Sequence, residues 1–322
     1  MKFKKLARAL CIGALAATVG GAAAMSGCAI ETNHPRAKIT IEFNDETYTL
    51  SYTLYRNMYP VTVRHFIELA KAGFYDNTII HDYGSNDWYG GGYSYVSETN
   101  ADEDIYSYGD SYSDSSMDEY LEDNDLESAY LKLFNDGNLT ASVYTDYSGF
   151  DKNDDMQVND EDAYHTLYGE FSSNNHTIAN GELTNTFGNL KMYYTAKVIE
   201  DDAAAQVYVK TNKKEVLVAD YKYNSATSLF AIQVGESSSL SYTSYATFAE
   251  LSNDTSVDNL NDLLDAIDDY ISDNYNDDNN KFTTGVDVYT DNIEQIASPA
   301  TAVSYTVTAK PIIIKSVKIT KY

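Results

Sequence analysis

Three features of this sequence predict a mainly β chain with two helices. Beyond residue 37, both ends alternate apolar and polar residues with period two, from Lys38 to Leu54 and again from Pro311 to Lys321. Two other stretches space their apolar residues three and four apart, Val63-Phe66-Ile67-Ala70 and Leu260-Leu263-Leu264-Ile267-Ile271, as amphipathic helices do. Residues 97 to 163 break both patterns with twenty acidic residues, two basic ones (Lys132, Lys152) and seven tyrosines, a composition that favours a solvated segment over a core.

The N-terminus reads as a signal. Lys2, Lys4, Lys5 and Arg8 precede an apolar, alanine-rich run that is too short and small-sided to span a membrane. Ala24-Met25-Ser26-Gly27-Cys28 looks like a bacterial lipobox, whose cysteine is diacylated and becomes the mature N-terminus. Residues 1–27 are therefore expected to be removed, and 28–37 to form a lipidated start and linker. Two acyl chains hold a protein durably to a bilayer. The expected location is the outer face of a bacterial cytoplasmic membrane. Cys11 leaves with the signal, so no internal disulfide can form in the mature chain. Loss of the four basic residues moves the formal charge from −27 to −31. Such a field argues against nucleic acid and anionic lipid heads as partners, which leaves the lipid anchor as the expected membrane link.

The elements follow in order. Lys38–Phe43 and Thr47–Leu54 flank Asn44-Asp45-Glu46 as a β-hairpin. Pro60 opens a helix at a first-turn position, and Gly73 closes it. Thr78–Tyr83 and Gly92–Val96 read as strands, and a helix is expected near 116–134, where Tyr120, Leu121, Tyr130, Leu131 and Phe134 can pack. Gln206–Lys210 and Glu215–Ala219 flank Thr211-Asn212-Lys213-Lys214 as a second hairpin. After the Leu260–Ile271 helix comes a polar stretch, Ser272 to Asn280, and then an extended tail.

The segment from Pro60 to Gly92 resembles the cyclophilin-type peptidyl-prolyl isomerases. Pro60, Thr62, Val63, Phe66, Leu69, Gly73, Tyr75, Asp76 and His81 fall in place, with Gly91-Gly92 ten residues after the histidine. Further blocks follow in the family's order: Leu167-Tyr168-Gly169-Glu170-Phe171-Ser172, Gly188-Asn189-Leu190-Lys191-Met192 against Gly-x-Leu-Ser-Met, and Ser225–Ile232 against Ser-Ala-Thr-Ser-Gln-Phe-Phe-Ile. The resemblance implies a closed antiparallel β-barrel capped by two helices, with 38–322 as one domain carrying acidic insertions at about 97–163 and 198–222.

It also implies chemistry that the residues do not supply. Rotation about a prolyl amide faces a barrier of ~18–20 kcal/mol because resonance stiffens the C–N bond. Family members lower it with an arginine on the His81-Asp82-Tyr83 strand, and here that position is Asp82, which as a carboxylate donates no hydrogen bond. The family's pocket floor falls on Asp87 and Trp88, its glutamine before Gly-Gly on Gly90, and its Gln-Phe-Phe on Leu229, Phe230 and Ala231, with a lid residue near Ser239 or Leu240. His81 is expected to pack rather than to catalyse. The expected function is a weak or inactive isomerase domain that binds polypeptide in a chaperone-like way. The alternatives are an active isomerase serving secreted proteins and a calcium-responsive or partner-binding surface protein.

The calcium alternative rests on Asp151, Asn153, Asp155, Gln157, Asn159 and Asp162 at the ligand spacing of a calcium loop, with Met156 in place of its turn glycine. A solvated acidic loop is the expected state, with no cofactor. Nucleophile elbow, phosphate loop and zinc-spaced Cys/His motifs are all missing from the sequence.

Overall fold

The computed structural model describes residues 34–96, 114–126, parts of 129–136, 167–170, 176, 183, 186–195, 205–210, 216–221, 224–235, 245–275, 281–288 and 303–322. The N-terminal hairpin is β1 (Arg36–Phe43) and β2 (Glu46–Leu54). Asn44 and Asp45 turn it with φ of 49° and 65°, the pair of left-handed residues that a two-residue turn matched to strand twist requires. Helix α1 (Pro60–Lys71) buries Val63, Phe66, Ile67 and Leu69. It ends at Gly73 with φ 72°, where Gly73 N–H reaches Ala70 O at 3.2 Å and Phe74 N–H reaches Leu69 O at 3.1 Å. That double closure satisfies the last free carbonyls and is the reason for the glycine.

Strands β3 (Thr78–Tyr83) and β4 (Asp87–Ser94) follow. The second was expected at Gly92–Val96. It starts earlier because Asp87–Gly90 is held on two sides, by β3 and by a distant strand, and it ends where Ser94 N–H turns to Asn124 O at 2.8 Å. The expected 116–134 helix is interrupted: α2 (Asp114–Asp123) ends, and helical residues return at 129–130 and 132–133, with Tyr130 N–H on Leu126 O at 2.9 Å. The break falls where the chain leaves helical bonding to extend β4, through a Tyr93–Asp125 bridge and Leu126 N–H to Gly92 O at 3.0 Å.

The remaining strands are β5 (Leu167–Tyr168), β6 (Leu190–Thr195), β7 (Ala205–Lys210), β8 (Val216–Tyr221), β9 (Asn224–Gln233) and β10 (Ala246–Leu251). Helix α3 (Asp254–Asn274) comes next, its first turn capped by Asn253, whose side chain accepts from Ser256 N–H at 2.9 Å. The chain then forms β11 (Thr283–Val288), β12 (Val303–Thr308) and β13 (Ile313–Lys321). The expected extended tail is thus a hairpin, β11–β12, followed by the last barrel strand. β7 and β8 pair as the hairpin read from the sequence.

Antiparallel pairing runs β4-β3-β13-β1-β2-β10-β6-β9 and closes through β4 and β9, with β5 added on β9. Closure leaves the ring no free edge. Its interior is filled by Ile39, Ile41, Phe43, Leu50, Leu54, Ile80, Trp88, Met192, Phe230 and Ile232, joined by Phe66 of α1, Leu260 and Leu263 of α3, and Tyr130 from the acidic segment. Gly91, with φ 90°, lets β4 and β9 meet: a Cβ there would stand 2.6 Å from Ser228 O. Ser228 Oγ donates to Gly91 O at 2.7 Å across the same seam.

The Leu167–Ser172 block does local work for α1. The buried Glu170 carboxylate accepts from Val61 N–H at 3.0 Å and from Thr62 N–H at 2.8 Å, two of the unpaired donors of the helix start. Burial nevertheless outweighs those bonds and pushes its pKa from 4.5 to about 7. The folded value lies above the unfolded one, so the group's contribution is complete below pH 4.5 and is lost as pH rises through about 7, a swing on the order of 3 kcal/mol. The stability of the parent relative to Glu170→Gln should therefore decline across that window in denaturant titrations. A difference that stays flat with pH would refute the assignment.

Candidate functional site

Register puts two neighbouring residues of β3 on the outside of the barrel. Ile80 stands opposite Gly90 and Asp82 opposite Tyr89, so His81 is the extra residue of a β-bulge. Ile80 and Tyr83 pack toward the main core, while the buried His81 ring lies 4.9 Å from both Tyr93 and Tyr305. Asp82 faces the same side.

The hairpin covers this surface. Asp82 Oδ1 accepts from Thr306 N–H at 2.9 Å. Thr306 belongs to β12, whose other edge pairs with β11, so the carboxylate receives a backbone donor that the hairpin itself leaves unmet. Beneath lies a second apolar cluster, separate from the barrel core: Ile79 and Tyr93 from the barrel, Met117, Tyr120 and Leu121 from α2, and Val286, Val288, Tyr305 and Val307 from the hairpin. The Tyr120 hydroxyl donates to Ser94 O and accepts from Val96 N–H, both at 3.1 Å, which fastens α2 to the end of β4.

From Asp82 the outer row continues through Tyr89, Ala231, Lys191 and Thr247, each the Cα partner of the last. Lys191 is buried, and its Nζ lies 2.6 Å from Asp87 Oδ1 and 5.3 Å from the Tyr245 ring centre. The hydroxyls of Tyr89 and Tyr245 meet above it, and burial raises both above the ordinary phenol value. Asp87 stands opposite the buried Gln233. An aspartate, a lysine and two tyrosines thus line the half of the outer face that the hairpin leaves.

The sequence-derived set divides between the two sides of the wall. Asp82, Asp87, Leu229 and Ala231 alternate with core-facing neighbours and face outward, with Leu229 beside Gly92 and His81. Trp88, Gly90 and Phe230 face the barrel interior: Trp88 stacks on Tyr83 at 5.3 Å, and a Cβ on Gly90 would meet Ile80 and Ile314. Lys191, Tyr89, Tyr245, Tyr305 and Thr306 were not singled out in sequence. Lys191 carried a signal, as it occupies the serine position of the Gly-x-Leu-Ser-Met block; nothing local marks Thr306. Cys28, Ser239, Leu240 and the Asp151, Asn153, Asp155 and Asp162 loop lie outside the described residues. Among the described residues, no three His, Cys, Asp or Glu side chains converge as metal ligands, and no helix is long and apolar enough to cross a membrane.

No described cation reaches Asp82. Arg56 lies over the Tyr322 ring, Arg64 bonds Glu68 at 3.1 Å, and Lys191 stands three strands away, roughly 14 Å.

A closed eight-stranded antiparallel barrel with two helices packed on its core defines a class of protein. The family model described as cyclophilin type peptidyl-prolyl cis-trans isomerase/CLD matches residues 38–290, and the chain belongs to that family. Similar solved structures include two of a cyclophilin type peptidyl-prolyl cis-trans isomerase from Cryptosporidium parvum. The one solved in the presence of the dipeptide Ala-Pro is 13% identical, covering 89% of this chain and 99% of that one. The other is 14% identical, covering 90% and 99%. Both give a TM-score of 0.33, too low to transfer geometry. No curated protein matches the chain.

Removing the Asp82 acceptor should strand the Thr306 donor. Asp82→Ala is expected to cost about 1–2 kcal/mol in urea unfolding and to speed Thr306 amide exchange, whereas Asp82→Asn, which keeps an acceptor, should cost less. Unchanged Thr306 exchange in the alanine variant would remove the bond from the account.

Proposed function

We propose that the chain is a lipid-anchored envelope protein whose cyclophilin-type domain holds polypeptide and catalyses prolyl isomerisation weakly or not at all. Asp82 carries this reading. A family enzyme needs a guanidinium N–H at the prolyl nitrogen to weaken amide resonance; a carboxylate cannot donate, and here its oxygen is committed to Thr306. Loss of one preorganised donor typically slows an enzyme ~10²–10³-fold, and reversal of its charge adds to that. The surroundings agree, since the floor that would seat a proline ring carries Asp87, paired with the buried Lys191, in place of an apolar group. The Ala-Pro dipeptide of one similar structure makes proline-containing peptide the first ligand to try. Ser26-Gly27-Cys28 after a basic and apolar leader supports export and acylation at the outer face of a bacterial cytoplasmic membrane.

A coupled cis–trans peptide assay tests the proposal. Turnover below about 1% of an ordinary family member is expected, and turnover at the ordinary rate overturns it. Active isomerisation remains as a second reading because one ammonium, Lys191, does sit in the outer face. It requires that any residual rate vanish in Lys191→Met; a rate indifferent to that substitution disposes of it.

A further inference from the structure

Basic residues are few in this chain, yet six of them gather where the folded part begins. Arg36 and Lys321 are direct cross-strand partners, as are Lys38 and Lys318. All four are exposed on the outer face of β1 and β13, since Ala37, Ile39 and Val317 take the inner positions. Arg56 and Lys71, also exposed, converge on the Tyr322 ring beside Lys321, at 5.5 and 4.1 Å from its centre. His34 belongs to the same end: burial first, then the charges of Arg56 and Lys321, push its imidazole below the ordinary value against the opposing pull of Glu250.

Like charges placed directly opposite on a sheet repel, and a fold of this net charge had carboxylates to spare for relieving them. Among the described residues, none lies within ion-pair distance of Arg36, Lys38, Lys318 or Lys321. Glu250 stands two strands from Arg36 and holds the Tyr55 hydroxyl, and Asp76 accepts from Val317 N–H at 3.3 Å. Lys315, farther back along β13, does find a partner in Glu42 at 3.5 Å. Among the described residues, Arg36, Lys38, Lys318 and Lys321 thus form a cluster without ion pairs at this end. The acidic helix α3 begins beside the patch, where Ser256 Oγ accepts from the N–H of Ser51, the cross-strand partner of Lys38, at 2.9 Å, but its C-terminal half packs on Phe43 at the far end of β1, about 23 Å from Arg36. The carboxylates of that far half lie beyond the screening length of ~8 Å at physiological salt, so the four clustered cations leave the patch locally positive despite the net charge.

We propose that this face docks on the anionic headgroups of the membrane to which the chain is tethered. The proposal rests on the lipid-anchor reading for its geometry. Between Cys28 and His34 an extended chain spans at most ~20 Å, so an acylated Cys28 keeps the start of β1, and the patch around it, close to the headgroups. Each basic residue near an anionic surface strengthens binding about fivefold. The patch therefore orients the barrel, basic end toward the bilayer and the C-terminal half of α3 away from it.

The test uses the mature chain carrying Cys28→Ser, which has no acyl group, so that its result is independent of whether the native chain is acylated; detergent-phase partitioning of the Cys28 form decides that separately. Co-sedimentation is measured with vesicles of phosphatidylcholine alone and mixed with phosphatidylglycerol. Binding at least about tenfold stronger to the mixed vesicles, weakening with salt, is expected. The combined Arg36→Gln, Lys38→Gln, Lys318→Gln, Lys321→Gln variant should lose it while melting no lower than its parent, because opposed charges have been removed. Lys315→Gln should leave it intact. Equal binding to neutral and mixed vesicles, or an unaffected combined variant, overturns the proposal. So does capture by a soluble anionic polymer without binding to vesicles.

Discussion

A single backbone donor at the free edge of β12 sets the terms for the outer face of this barrel. Closing eight strands into a ring removes the ring's own edges but does nothing for a two-stranded hairpin laid on its outside, one of whose edges must still find acceptors. Asp82 supplies one for Thr306. Ile79, Tyr93 and Tyr305 then bury their surface around it, and α2 closes the cluster from the other side. Three segments far apart in sequence thus depend on one another: β3, the acidic insertion through α2, and the β11–β12 hairpin. None of their apolar faces would be covered without the other two.

The same arrangement explains what sequence could and could not reveal. Strands with one wet face and one buried face announce themselves by alternation, which made β1, β2 and β13 legible, and the amphipathic spacing of α1 and α3 did likewise. The turn residues Asn44-Asp45 and Gly73 were legible because their backbone angles admit few alternatives. The hairpin was not. Thr283–Val288 carries a glycine at its centre, and its partner lies across a long connection, so no turn signal joins the two runs. The bulge at His81 was equally hidden, since an extra residue in a strand leaves no mark on composition, yet it decides that His81 and Asp82 face outward together. Counting along the chain from His81 named residues of one wall without telling which side each would take. Trp88 and Gly90 went to the core, and Tyr89, between them, went to the surface.

A seat for a proline ring is apolar and gains from displacing water. An aspartate at that seat, with a buried lysine beside it, would exchange that gain for an ion pair that must first offset the loss of hydration of both charges. Such a pair adds little stability over apolar groups of equal volume, so its presence is better explained by what it excludes or positions than by what it holds together. Tyr89 and Tyr245, half-buried with joined hydroxyls, add polar and aromatic groups to the same face.

The proposed tether gives charge placement a role. A uniform field of the chain's net sign would keep a tethered barrel off an anionic bilayer. On the proposed docking, cations clustered at the start of β1 and carboxylates on the far half of α3 would convert that repulsion into a torque, because each end feels the surface only within a screening length. The outer face of β3, β4, β9 and β6 lies on the wall between those ends, so an upright barrel presents it sideways to whatever passes along the membrane. Orientation of that kind is useful to a holding module. A tethered enzyme needs its substrate for one turnover, whereas a binder that works by occupancy gains from being kept in the layer where emerging chains are most concentrated.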